Sequence, residues 1–142
     1  MNRYPIKIAV AGTHSTGKTT FLDGLEAALK TYRLRIGRIG GLALRARQLG
    51  FPILTEHTFE STLWLMAECL RQEAENSLSC DIILIDRPLL DTLAYLRAAL
   101  EMSQRSLRPG RLEELTTIAP AHTNDYDLLE QIPFEFTHSL RA

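Results

Sequence analysis

No stretch of this sequence approaches the ~20 consecutive apolar residues that span a bilayer. The N-terminus reaches only a few apolar residues before Gly12 and Thr13, short of the ~7–15 that form the apolar core of a secretory leader. Both absences argue against a membrane or secreted protein. Cysteine is scarce as well: Cys69 and Cys80 are too few for a disulfide scaffold and too far apart for a metal-ligand pair, so a reduced, cytoplasmic chain is expected. Charge of one sign is lacking overall. A net charge of −1 excludes bulk attraction to nucleic acid or to an anionic membrane. Low-complexity segments, repeats and linkers are absent too. With 45% hydrophobic and 23% charged residues in 142, the composition is that of one ordinary globular domain spanning 1–142.

One local absence runs the other way. Between Ala27 and Thr55 there is no acid, while Lys30, Arg33, Arg35, Arg38, Arg45 and Arg47 fall in that stretch. A positive surface there could dock nucleic acid, a minor alternative to be weighed against the main reading. Arginine is 13 of the 16 basic residues; its planar fork suits phosphate, although a coding bias gives the same count.

Apolar periodicity supplies the elements. Ile6–Ala11 is a short, largely apolar run ending at a glycine, the pattern of a buried parallel strand. Phe21, Leu25, Ala28, Leu29 and Tyr32 then recur at helical spacing. Leu34–Ile39 reads as a second strand with a more exposed face, closed by Gly40 and Gly41. Thr58 is an N-cap signal for a long helix to about Leu78, marked by Phe59, Leu63, Met66, Leu70 and Ala74 and widened by Trp64 and Leu65. On that helix Phe59, Trp64 and Met66 read as core, with a wall for an acceptor to stack on as the alternative. Ile82–Ile85 is uninterruptedly apolar and ends on Asp86, as a central parallel strand ends at the sheet's carboxyl edge. Helices follow over Leu89 to about Met102 and Arg111 to about Ala119, and Tyr126–Ile132 reads as a fourth strand. Strands alternating with helices give an α/β fold of three layers around a mostly parallel sheet with right-handed crossovers.

The chemistry centres on Gly12–Thr19, GTHSTGKT, which satisfies the GxxxxGK[ST] phosphate-binding loop and lies between a strand and a helix as that loop must. Gly12 and Gly17 let the backbone turn so that the N–H groups of Thr13, His14, Ser15 and Thr16 face one concavity. The following helix adds the positive end of its dipole, with Thr20 in its first turn. His14 occupies a variable loop position, a spacer or a phosphate contact. Lys18 can reach the β and γ phosphates, and the Thr19 hydroxyl can ligate a Mg²⁺ bridging them. Asp86 can join that Mg²⁺ shell or orient an attacking hydroxyl; the bland reading is a strand-end cap before Pro88. Arg87 can neutralise charge on a transferring phosphoryl group, or simply lie on the surface. Asp91, in the first turn of a helix, is explained by the helix dipole alone. A GTPase reading fails, because Asn124–Asp125 lacks the lysine of NKxD and Asp86–Leu89 lacks the glycine of DxxG. No serine, histidine and aspartate order carries hydrolase turn chemistry, and the four histidines pair with no cysteine at zinc spacing.

GTHSTGKTT, followed by a strand ending in Asp-Arg and a helix containing Tyr95 (IILIDRPLLDTLAYL), resembles the P-loop kinases of nucleosides and nucleoside monophosphates. Within that group the chain is most similar to kinase-like domains related to the ribosylnicotinamide kinase part of NadR. GFPI, STLWLMAECLRQEAE and NDYDLLEQIPF extend the resemblance over nearly the whole chain. It implies ATP and Mg²⁺ as cofactors and a small-molecule phosphoryl acceptor. Lys18, Asp86 and Arg87 would be the catalytic set, and Thr19 and Asp86 would hold the metal. The pattern departs in two places. No acid follows the second strand before Glu56, so the acceptor-side base is not visible, although Arg45 matches a basic acceptor-side position. Such kinases also carry an arginine-bearing lid and a fifth strand after the fourth, where this sequence has only Arg141 and ends at Ala142. The expectation is therefore a P-loop fold incomplete at its C-terminus, with an open sheet edge that favours a homo-oligomer. The alternative is a non-catalytic nucleotide-binding regulatory or scaffold module.

Overall fold

The computed structural model describes residues 4–11, 17–86 and 89–131. Within them, in chain order, lie β1 (Ile6–Ala11), α1 (Lys18–Lys30), β2 (Ile36–Ile39), α2 (Leu42–Leu49), a 3₁₀ turn (Leu54–Glu56), α3 (Phe59–Asn76), β3 (Ile82–Asp86), α4 (Leu89–Ser103), α5 (Arg111–Thr123) and β4 (Leu128–Gln131). The strands form one sheet in the order β2-β3-β1-β4. Every pairing is parallel. All four strands therefore point their carboxyl ends at the same edge, where ligands bind in open α/β sheets.

The apolar run of β3 divides between two faces because successive side chains alternate across a strand. Ile83 and Ile85 join Ala9, Ile39, Met66, Leu96 and Leu115 in a core beneath α3, α4 and α5. Ile82 and Leu84 join Val10 and Leu22 beneath α1, with Phe21, Leu25 and Leu29 around them. The result is the three-layer α/β architecture that the alternation of elements predicts, with helices on both faces of a parallel sheet.

Element boundaries moved where a polar group took over a ladder position. β2 begins at Ile36 rather than Leu34, because Arg35 is occupied by Asp81. Its N–H donates to Asp81 Oδ2 at 2.8 Å, and its carbonyl accepts from the Asp81 and Ile82 amides. β4 begins at Leu128 rather than Tyr126, because Asp127 brackets Lys7, accepting its N–H on Oδ2 at 2.8 Å and donating to its carbonyl at 2.9 Å. Ile132 lies outside the described residues. α3 stops at Asn76, and α5 runs past Ala119 to Thr123 with Pro120 inside it.

Two apolar stripes are also corrected. In α1 the fully buried residue is Leu22, whereas Ala28 is exposed, as is Tyr32 in the turn that follows the helix. In α3 the buried face runs through Phe59, Thr62, Leu65, Met66, Cys69 and Glu73, leaving Leu63 and Ala74 outside. Polar residues on that face meet polar partners. Thr62 donates to the Thr58 carbonyl at 2.8 Å. Glu73 accepts from the Tyr126 hydroxyl at 3.1 Å and the Cys69 thiol at 3.4 Å, and faces Lys7 Nζ at 3.5 Å.

Helix α2 and the 3₁₀ turn were not expected. α2 is eight residues long and has no side-chain cap; Gly41 and Gly50 flank it with φ of 69° and 101°. Such left-handed positions suit glycine, so the same Gly-Gly that reads as the end of a strand also starts a helix.

Candidate nucleotide-binding site

Gly17 closes the candidate phosphate loop with φ of 79° and stands as the N-cap of α1. It has no side chain with which to cap the helix, and the first turn carries no acid. Among the described residues, no side chain caps the N–H groups at the positive end of α1, an arrangement suited to an anionic ligand. Lys18 follows directly. Its side chain is 6% exposed, and its Nζ lies 2.6 Å from Asp86 Oδ1 at the end of β3, 19% exposed. The register explains the meeting, since Val10 of β1 pairs with Asp86 and β1 leads into the loop that ends at Gly17.

Among the described residues, the buried Asp86 Oδ1 meets the Lys18 ammonium and no other donor. Thr19 and Thr20 are exposed in the first turn of α1. Gly12, Thr13, His14, Ser15, Thr16 and Arg87 lie outside the described residues.

The site's third side is the β2–α2 junction. Ile39 pairs with Ile85, so Gly40 and Gly41 follow beside Asp86 at the same edge. Sequence reasoning took these glycines only as a turn and missed their place in the site; the signal was two glycines aligned one step past the end of a parallel pair. Arg45 lies exposed on α2, and Glu56 belongs to the 3₁₀ turn.

That turn is held against the rest of the fold. Arg105 Nη2, two residues past α4, donates to the carbonyls of His57 at 2.9 Å and Thr55 at 3.3 Å. His57 is buried, stacks on Tyr95 of α4 with ring centroids 6.2 Å apart, and has Nδ1 3.4 Å from Ser61 Oγ. Thr58 caps α3 reciprocally with Ser61. The N-cap at Thr58 matches expectation; its partner escaped notice because serine rather than Glu or Gln stands at the third helical position. Asp91 lies in the first turn of α4.

The acid-free basic stretch acquires acids from elsewhere in the fold. Arg38 pairs with Asp23 and with Glu26 at 3.1 Å, Lys30 with Glu26 at 3.3 Å, and Arg35 with Asp81 at 3.2 Å. The Arg38 guanidinium holds the Glu26 carboxyl below its usual pKa.

A parallel sheet of order β2-β3-β1-β4, a left-handed glycine and lysine opening the helix after β1, and an aspartate ending β3 define a P-loop nucleoside-triphosphatase fold. A family model described as AAA domain matches residues 7–129. The chain belongs to that family, a nucleotide-binding P-loop family. No curated protein matches the chain. No helix among the described residues is long and apolar enough to cross a membrane.

Proposed function

We propose that the chain is a phosphotransferase that binds Mg²⁺-ATP and passes the γ-phosphoryl group to a small acceptor of the nucleoside or nucleotide class. The observation that carries this reading is the Lys18–Asp86 contact of 2.6 Å at the carboxyl edge of the sheet. A P-loop lysine and a strand-end carboxylate stand where one can hold phosphates and the other a metal. The residues fit a divalent cation, because the partly exposed Asp86 carboxylate ends β3 at the carboxyl edge of the sheet and the exposed Thr19 hydroxyl lies one residue from Lys18. Asp86 and Thr19 would hold the cation, which would offset the charge of the phosphates.

Lys18 would exchange Asp86 for the β and γ phosphates. The N–H groups at the start of α1 would orient the chain of phosphates, and Arg87 would face the group being transferred. Catalysis of this kind is mostly positioning and charge neutralisation.

A second reading, a nucleotide-binding regulatory module without transfer, draws on one observation. From Ile36 to Leu49, through β2 and α2, there is no acid, so those two elements bring no base to an acceptor hydroxyl. Nucleic-acid docking is weakened by the acids that neutralise Lys30, Arg35 and Arg38. A coupled assay of ATP consumption against nucleosides, nucleoside monophosphates and ribosylnicotinamide separates the two readings. Acceptor-dependent consumption that disappears in Lys18→Ala supports transfer. Tight ATP binding with no acceptor-dependent turnover across the panel leaves the regulatory module.

A further inference from the structure

Gly40 and Gly41 are glycines for different reasons. Gly41 has φ of 69° and nothing within 4 Å of where a Cβ would stand, so backbone conformation alone accounts for it. Gly40 has no positive φ, and its space is limited by one residue. A Cβ there would lie 3.3 Å from Asp86 Cβ, 3.5 Å from Asp86 Oδ2 and 3.8 Å from Asp86 Cγ. Neighbouring strands run ~4.7–4.9 Å apart, so the chain has turned in toward Asp86 just past the Ile39–Ile85 pair.

Asp86 is thereby held between two neighbours. Its Oδ1 faces Lys18 Nζ at 2.6 Å, and its Oδ2 faces Gly40. Its Cβ belongs to the end of β3, whose residues Ile82–Ile85 are all buried, so a methyl group at residue 40 presses on a side chain with a well-held base. We infer that Gly40 is a positioning residue for the Asp86 carboxylate, keeping open the side on which Oδ2 would take up the nucleotide-bound cation. The inference rests on the reading of Asp86 as a metal-holding residue. It assigns no chemistry to Gly40 itself. A methyl group at residue 40 narrows the space beside Oδ2 and shifts the carboxylate by a few tenths of an ångström. Residues that orient metal ligands typically change metal affinity by ~10–100-fold when altered.

The test is the gain in ATP affinity on adding Mg²⁺, measured by titration calorimetry on the full chain for the parent, Gly40→Ala, Asp86→Asn and the double variant. Gly24→Ala serves as a control, because nothing lies within 4 Å of that position. Gly40→Ala is expected to lose about tenfold of the Mg²⁺-dependent gain, with Mg²⁺-free ATP binding within about twofold of the parent. Asp86→Asn should lose most of the gain, and the double variant should be no worse than Asp86→Asn alone, since the effect of Gly40 runs through that carboxylate. If Gly40→Ala keeps the full gain while Asp86→Asn loses it, the inference is overturned and the reading of Asp86 stands. If Asp86→Asn itself keeps the gain, the metal reading fails and the inference with it. Equal loss of Mg²⁺-free and Mg²⁺-dependent binding in Gly40→Ala, or unfolding of both Gly40→Ala and Gly40→Ser, makes Gly40 a residue of the fold and overturns the inference.

Discussion

The nearly buried ammonium of Lys18 has Asp86 as a counter-charge 2.6 Å away, so the two residues cannot be altered independently. Asp86→Asn leaves that ammonium facing an amide. Breaking one side of a buried pair costs more than the pair contributes; because Asp86 is partly exposed, the expected cost is about 1–2 kcal/mol, several degrees in thermal midpoint. The same change removes a negative charge beside the incoming phosphates and frees Lys18 to meet them. Mg²⁺-free ATP should therefore bind Asp86→Asn at least as tightly as the parent and recover most of the lost midpoint, while turnover collapses. Differential scanning fluorimetry with and without ATP checks the first part. A variant that ATP fails to rescue would mean that Asp86 only caps the strand.

Glu68 provides a pH-dependent case at the same scale. Arg71, which donates from Nη2 at 2.6 Å and Nε at 3.0 Å, lowers its pKa to about 2, aided by Gln72. A carboxyl group whose folded pKa is depressed contributes stability above its unfolded pKa and loses it as pH falls toward the folded value. The midpoint difference between the parent and Glu68→Gln should be constant from neutral pH down to about 5 and shrink toward zero as pH approaches about 2. Thermal melts across that range measure it. A difference independent of pH would assign the loss to packing.

Among the elements, β2 and α3 meet where only glycine fits. A Cβ on buried Gly37 would lie 2.6 Å from Asn76 Oδ1 and 2.9 Å from Cys80 Sγ. Asn76 is not at liberty to move, since its side-chain amide donates to the Gln72 carbonyl at 2.8 Å at the end of α3. Gly37→Ala should cost about 1–3 kcal/mol, as overpacking does, visible as a lower midpoint in urea with an unchanged slope. Equal stability would mean that the α3 terminus shifts freely.

Strand positions were legible because β1 and β3 are short apolar runs ending at glycine or aspartate, a pattern that parallel strands buried on both faces produce. The partner aspartate was legible for the same reason, lying one step past such a run, and the P-loop lysine because GTHSTGKT follows the first run directly. Less visible was whatever depends on contacts distant in sequence. Glu73 looks like an exposed residue of α3 until Lys7 and Tyr126 come to it. Arg38 looks like an exposed strand residue until Asp23 and Glu26 of α1 cover it. Gly40 could be recognised as part of the site only once β2 was known to lie beside β3.

On the scale of the whole molecule, the buried Glu73 ties three elements together, α3 with Lys7 of β1 and with Tyr126 ahead of β4. Burial and the Glu73 charge push the Tyr126 phenol well above its usual pKa, so it remains a donor throughout the accessible pH range. Tyr126→Phe removes that donor from a carboxylate that is 2% exposed. The expected loss is about 1.5–3 kcal/mol, with hydrogen exchange of the β4 amides accelerated more than that of β3. Uniform acceleration would show that Tyr126 does not tether β4 specifically.

The remaining question at this scale is whether the carboxyl edge of the sheet takes nucleotide through Lys18. Calorimetric titration of ATP with Mg²⁺ into the parent and Lys18→Ala, with folding of both verified by circular dichroism, addresses it directly. The loss of a charge-assisted contact to phosphate is worth roughly 1.5–3 kcal/mol, so Lys18→Ala should bind at least about tenfold more weakly. Equal affinity in the two proteins would contradict nucleotide binding at this site.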